Sequence, residues 1–261
     1  MIESNAHITV AGLTMAYDDF VIQRDLSFEV RRGEVFVIMG GSGCGKTTLL
    51  RHIIGLQEPT EGDIYLEEEN IWKADAETRE HMMRRFGILY QGGALWSSMT
   101  LTENIAVPLT EYTELTPAEI RRIASMKLAL VGLTGFGDYY PPQLSGGMRK
   151  RAGLARAMAL DPEILCFDEP SAGLDPISAR RLDELILRLR DGLGSTVLVV
   201  THELDSIYTI SDRAILLDAD ARTMIAEGNP RTMMETSTDP RVRQFLTRDG
   251  TRGTDSVQED A

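Results

Sequence analysis

The chain has 261 residues, 43% of them hydrophobic, and a formal net charge of -13. This length suits one elaborated α/β domain, and the acid surplus argues against a partner whose phosphate backbone must be gripped by Lys and Arg, so no nucleic acid is expected. The longest apolar runs, Val35 to Met39 and Val197 to Val200, fall far short of the ~20 residues that cross a hydrocarbon layer, the opening MIESNAH has no signal-peptide pattern, and the cysteines Cys44 and Cys166 lack disulfide-framework spacing, so a reduced, cytosolic setting is expected.

From Ile8 to Glu34, short alternating segments with turn residues at Asp18-Asp19 and Arg32-Gly33 predict an antiparallel β region. The apolar strand Val35 to Met39 then runs into Gly40-Gly41-Ser42-Gly43-Cys44-Gly45-Lys46-Thr47-Thr48, and Leu49, Leu50, Ile53 and Ile54 follow at helical spacing. This strand, loop and helix satisfy G-x-x-x-x-G-K-[ST]. The glycines let backbone N–H groups close around phosphate oxygens at a helix N-terminus, Lys46 neutralises the β and γ phosphates, and Thr47 holds Mg²⁺. A glycine turn that merely starts a helix is the weaker alternative. Cys44, near that helix N-terminus, is a candidate thiolate whose alkylation would block nucleotide binding; a small residue filling a loop position explains it equally well. His7, His52 and His81 read as structural or exposed, and Glu67-Glu68-Glu69 as a solvated turn.

Between Leu101 and Leu133 the pattern turns helical, with Thr116-Pro117-Ala118-Glu119 as a helix start carrying Pro at its first position. Leu144-Ser145-Gly146-Gly147-Met148 opens a further helix bearing Leu154, Ala155 and Met158, and its serine and glycines make a second anion-binding helix start. One nucleotide cannot easily use both. Ile164 to Phe167 and Thr196 to Val200 read as buried strands separated by a helix from Ser178 to Arg190, which gives a parallel sheet wrapped by helices. Asp168 and Glu169 end the first of these strands, where ligands bind in open α/β sheets. Asp168 suits the Mg²⁺ shell through water, and Glu169 suits a general base for the attacking water. Two acids ending a strand are common alone; the phosphate loop gives them meaning. From Asp249 onward there is no apolar pattern, and a disordered tail is expected.

In this order the motifs resemble those of the ABC ATPase family over nearly the whole chain. The resemblance implies a P-loop NTPase of RecA-like type: a parallel-sheet core with an antiparallel β subdomain and an inserted helical subdomain. It places a single ATP-binding domain over 5–247, the helical subdomain at about 95–158, and the tail over 248–261. It further implies that Ser145, Gly146 and Gly147 contact the γ-phosphate of ATP held by a second copy of the chain. Tyr17 matches the aromatic that stacks on adenine. Gln91, after Phe86-Gly87-Ile88-Leu89-Tyr90, matches the glutamine that senses Mg²⁺ and water. Ser171-Ala172-Gly173-Leu174-Asp175 resembles the loop that crosses the dimer interface, and His202 the switch histidine near the γ-phosphate. Taken without context, Tyr17 would be a surface aromatic and His202 a capped core histidine.

Within the family the resemblance is nearest to the ATPases of the Mla phospholipid transporter and its MCE-associated relatives. It rests on Met148 in place of the usual Gln with the run Arg149 to Ala157, on Gln91-Gly92-Gly93-Ala94-Leu95, on Glu103-Asn104-Ile105-Ala106, and on Asp239 to Leu246. An amphipathic turn with Val242, Phe245 and Leu246 accounts for the last piece equally well. The resemblance implies an MlaE-type membrane permease, an MCE-domain lipid carrier and a STAS-domain protein as partners, phospholipid as cargo, and a place on the cytoplasmic face of the inner membrane. Two readings compete. An ordinary importer or exporter ATPase would use the same nucleotide site. A soluble ABC protein of DNA repair or translation would carry long coiled-coil insertions or tandem cassettes, and the chain has neither.

Overall fold

The computed structural model describes residues 5–247. The early alternation produces two long strands, β1 (Ala6–Tyr17) and β2 (Phe20–Arg31), paired antiparallel across Asp18-Asp19 with Ile8, Val10, Leu13 and Met15 buried. β1 also pairs with β4 (Glu61–Leu66), which pairs with the two-residue β5 (Glu69–Asn70), so the antiparallel sheet extends beyond the predicted Ile8 to Glu34. β4 escapes the pattern because it opens on Glu61, Gly62 and Asp63 and buries only Ile64 and Leu66. The acidic run beyond it is more than a solvated turn: Glu67 pairs with Arg32 and Arg85.

The second sheet has the order β10-β9-β3-β8-β7-β6. Its strands are β3 (Val35–Gly40), β6 (Phe86–Leu89), β7 (Ile164–Asp168), β8 (Thr196–Val200), β9 (Arg213–Asp218) and β10 (Thr223–Gly228). All neighbours are parallel except β9 and β10. β3, β7 and β8 are buried at every position, which is why they read as unbroken apolar runs. Alternate residues of one strand serve different cores. Val35, Val37 and Met39 pack with most of the helices, while Phe36 and Ile38 pack with the antiparallel sheet and α1 (Lys46–Ile53).

The remaining helices are α2 (Ala76–Arg84), α3 (Leu101–Tyr112), α4 (Pro117–Leu130), α5 (Gly146–Ala157), α6 (Pro176–Leu193), α7 (Leu204–Ile210), α8 (Pro230–Thr236) and α9 (Pro240–Thr247). α3 and α4 begin with reciprocal Thr–Glu capping boxes, Thr100 with Glu103 and Thr116 with Glu119. α6 outruns the predicted Ser178 to Arg190, because Asp175 caps it, Pro176 occupies its first position and Gly194 (φ 68°) ends it. The amphipathic segment near the C-terminus is a helix, α9, that buries Val242 and Leu246. The tail expected over 248–261 lies outside the described residues.

Asp183 on α6 is buried, accepts a 2.9 Å hydrogen bond from the Ser206 hydroxyl at Oδ2, and leaves Oδ1 without a protein partner. Burial pushes its pKa up to about 6, with Asp205 and Glu184 adding to the effect against the Ser206 bond. The folded state therefore holds a proton that the unfolded chain releases, so this group makes stability fall as pH rises from ordinary carboxylate values through about 6. Asp183→Asn is expected to raise stability at pH 8 by on the order of 1–2 kcal/mol and to flatten the pH 4–6 dependence of thermal unfolding. A variant less stable than the parent at pH 8 would refute this reading.

Candidate active site

Four parallel strands end side by side, ~4.8 Å apart, and their C-terminal ends deliver the predicted residues. β3 enters the glycine loop, β8 leads to Thr201 and His202, β7 ends at Asp168 with Glu169 next, and β6 leads to Tyr90 and Gln91. The order β3-β8-β7-β6 thus brings together segments that are far apart in sequence.

The loop after β3 is shaped by glycine. Gly40 has φ 154°, and a Cβ there would lie 2.6 Å from both the Leu217 carbonyl oxygen and Cys44 Sγ. Gly43 and Gly45 are left-handed, at φ 77° and 95°. Gly45 is the N-cap of α1, which has no side-chain cap and no acid in its first turn, so its leading N–H groups are free for an anion. Open space lies over Gly41 and Gly43. Lys46 is buried and curls back, its Nζ donating to the carbonyls of Gly40 (2.9 Å) and Gly41 (3.0 Å) and lying 3.9 Å from Glu169 Oε1. These features fit a phosphate chain on the loop. Gln23 braces it from the β1–β2 hairpin: its Nε2 donates to the Cys44 carbonyl (2.8 Å) and the Asp218 carbonyl (3.1 Å).

Thr47 Oγ1 donates to Asp168 Oδ1 at 2.9 Å. Burial raises the Asp168 pKa, with the Thr47 bond pulling the other way. A hydroxyl and a carboxylate side by side at the loop are the oxygen donors a hard divalent cation takes, so Mg²⁺ fits here. Glu169 lies at φ 47°, a left-handed conformation that a non-glycine residue keeps only when its surroundings enforce it. One carboxylate oxygen is 2.8 Å from His202 Nδ1, and the other is buried with no protein partner. A buried, unpartnered carboxylate oxygen is suited to accept from a substrate water.

Other predicted residues stand apart from this cluster. Tyr17 is exposed at the hairpin tip, its hydroxyl donating to Gln57 Oε1 at 3.2 Å. The Gln91 side chain is exposed and makes no hydrogen bond among the described residues. Ser145 caps α5, its Oγ accepting from the Met148 N–H at 3.3 Å. Gly146 and Gly147 lie beside Leu174 and Ser178, and no hydrogen bond among the described residues joins this segment to the phosphate loop.

The thiol at Cys44 departs from the expectation of a reactive thiolate. It is buried beneath the loop, and burial raises its pKa against the pull of Lys46; Cys166 is raised likewise. A maleimide is therefore expected to label neither cysteine in the folded protein and both after denaturation, as read by intact mass. Rapid stoichiometric labelling of the native chain would contradict this. Two participants were missed in the sequence. Gln23 is a polar residue at an inward position of an alternating strand, a detectable signal; Lys150 sits within the basic run Arg149-Lys150-Arg151, where nothing marks it as buried.

Among the described residues, no helix is long and apolar enough to cross a membrane. The family model described as ABC transporter matches residues 23–172. A Haemophilus influenzae relative named intermembrane phospholipid transport system ATP-binding protein MlaF is 42% identical over 92% of this chain and 89% of its own length. A Mycobacterium tuberculosis relative named probable ribonucleotide transport ATP-binding protein mkl is also 42% identical over 92% of this chain, which spans 66% of that longer relative. Among solved structures, an ATP-binding cassette dimer in a post-hydrolysis state with ADP and Pi superposes with a TM-score of 0.77 at 29% identity, covering 85% of this chain and 98% of that one. CbiO1 from Clostridium perfringens, at 24% identity, shares the fold with a TM-score of 0.79 over 94% of this chain and all of that one. With its phosphate loop, strand-end acids and helix-start serine in a P-loop NTPase fold, the chain belongs to the ABC transporter family as an ATP-hydrolysing, nucleotide-binding subunit.

Proposed function

We propose that the chain energises phospholipid transport between membranes, acting as a dimer on the cytoplasmic face of the inner membrane beneath an MlaE-type permease with an MCE-domain carrier and a STAS-domain protein. The observation that carries this reading is the likeness to the Haemophilus MlaF protein, which extends over nearly the full length of both chains. The mycobacterial name favours a second reading, ribonucleotide transport, at the same identity but over a smaller share of the relative. Residues 5–247 act as one ATP-binding domain, within which 95–158 form the helical subdomain that meets the permease. The apolar groove between β6, α3 and the end of α5, lined by Phe86, Trp96, Val107, Tyr112 and Leu160, is the matching surface.

In the proposed cycle, ATP lies on the loop from Gly40 to Thr48 with its adenine against Tyr17. Lys46 exchanges its two loop carbonyls for phosphate oxygens. Thr47, Asp168 and Gln91 would hold Mg²⁺, which when bound supplies positive charge to the β and γ phosphates. Glu169 accepts the proton of the attacking water, and His202, bonded to Glu169, orients that carboxylate toward the γ-phosphate. Ser145, Gly146 and Gly147 offer their helix start to ATP on the second copy, so that two nucleotides close the dimer and hydrolysis opens it.

Affinity purification of the tagged chain from detergent-solubilised native membranes, followed by identification of the co-purifying proteins and lipids, tests the reading. Recovery of an MCE protein, a permease and phospholipid is expected. Recovery of a different permease with no MCE protein would overturn the cargo and leave the ATPase intact.

A further inference from the structure

Lys150 occupies the second turn of α5, buried although its neighbours Arg149 and Arg151 reach solvent at least in part. Its Nζ donates to the carbonyl of Gln91 and, at 3.2 Å, to the carbonyl of Glu169. Desolvating an ammonium is costly, so a buried lysine persists where its protons are satisfied and negative charge is near. Burial lowers the pKa of Lys150, and Asp168 and Glu169 oppose that effect. A single cation therefore joins the segment after β6, the helix α5 and the end of β7.

The packing around it leaves little slack. One turn along α5, a Cβ on Gly153 would lie 2.8 Å from the Gly93 carbonyl oxygen and from Leu89, and on β6 a Cβ on Gly87 would lie 2.3 Å from the Ala157 carbonyl oxygen. The helix thus rests directly on the backbone of β6 and the glutamine segment. On the other side, Glu169 is held in its left-handed conformation by three bonds: its N–H donates to the Val200 carbonyl at 2.8 Å, and its own carbonyl accepts from the Ala172 N–H and from Lys150 Nζ, each at 3.2 Å. These bonds fix the peptide planes on both sides of its Cα, and with them the direction of the carboxylate.

We infer that Lys150 is a positioning residue: by binding the carbonyls of Gln91 and Glu169 together, it keeps the hydrolytic carboxylate and the glutamine segment in register with α5. It does so without touching nucleotide. A displacement of α5 that follows the permease is then passed to Glu169 through one ammonium. The inference rests on reading Glu169 as the general base.

The test is steady-state ATP hydrolysis and ATP binding of Lys150→Met and Lys150→Arg in the complex recovered from membranes with the tagged full-length chain. Lys150→Met is expected to lower kcat on the order of tenfold with KM and the ATP Kd within about twofold of the parent, and Lys150→Arg, which keeps the donors, to recover at least about half of the loss. A kcat within about twofold of the parent, or an equal loss of ATP affinity, would overturn the positioning role. If Lys150→Met does not fold, Lys150→Gln, whose shorter amide reaches only one of the two carbonyls, carries the same kcat-against-KM comparison. Glu169→Gln measured in parallel separates the two ideas. Undiminished turnover there removes the base assignment itself, whereas its loss beside a fully active Lys150→Met removes only the positioning role.

Discussion

Glu169→Gln is expected to reduce ATP turnover by about 10²–10⁴-fold while leaving ATP binding intact, so that the chain accumulates as an ATP-loaded closed dimer. The substitution preserves shape and keeps an oxygen for His202, which lies 2.8 Å from Glu169 Oε1. It replaces the other oxygen, buried and without a protein partner, with an amide that cannot take a proton from water. The chain around it should remain in place, since the three bonds that hold Glu169 at φ 47° are made by its backbone and not its side chain. Phosphate release and size-exclusion chromatography with and without ATP read the two halves of this expectation. Turnover within tenfold of the parent would place the base elsewhere.

Lys46→Ala should weaken ATP binding on the order of 100-fold, as measured by titration calorimetry. A charge-assisted bond to phosphate contributes roughly 1.5–3 kcal/mol, and Lys46 is the cation that the loop folds around. Its Nζ bridges Gly40 and Gly41 and lies 3.9 Å from Glu169, so the side chain already spans the distance from the loop to that carboxylate before any phosphate arrives. Removal leaves two loop carbonyls facing solvent and a glutamate without its neighbouring positive charge. Affinity within about threefold of the parent would show that the loop's N–H groups alone hold the triphosphate.

The sequence made legible the features whose local pattern is strict. The phosphate loop is one, because glycine takes the φ of Gly43 and Gly45 without the strain other residues would carry, and a strand buried on both faces leaves an unbroken apolar run such as Val35 to Met39. The helix starts at Thr116 and Ser145 are others, because a capping side chain and its N–H partner lie within four residues. What stayed hidden depends on distant contacts. β4 is recognised only by its pairing with β1, and α2 buries little beyond Met82. Lys150 resembles its solvated neighbours until β6 and β7 are placed against it. Cys44 misled for a related reason: proximity to a helix N-terminus is readable in sequence, whereas burial of the side chain in the core shared with β1, β2 and β9 is not.

The two-sided use of the parallel sheet has a consequence for how such a chain diversifies. Phe36 and Ile38 belong to the core shared with the antiparallel strands and α1, and Val35, Val37 and Met39 to the core shared with α3 through α9. These side chains fall into separate clusters, so substitutions at Phe36 or Ile38 and at Val35, Val37 or Met39 should have nearly additive effects on stability. Substitutions in α3 through α9 that stay clear of the nucleotide site can therefore accumulate with little repacking of the layer shared by the antiparallel strands and α1, so the two faces of one sheet are free to change at independent rates.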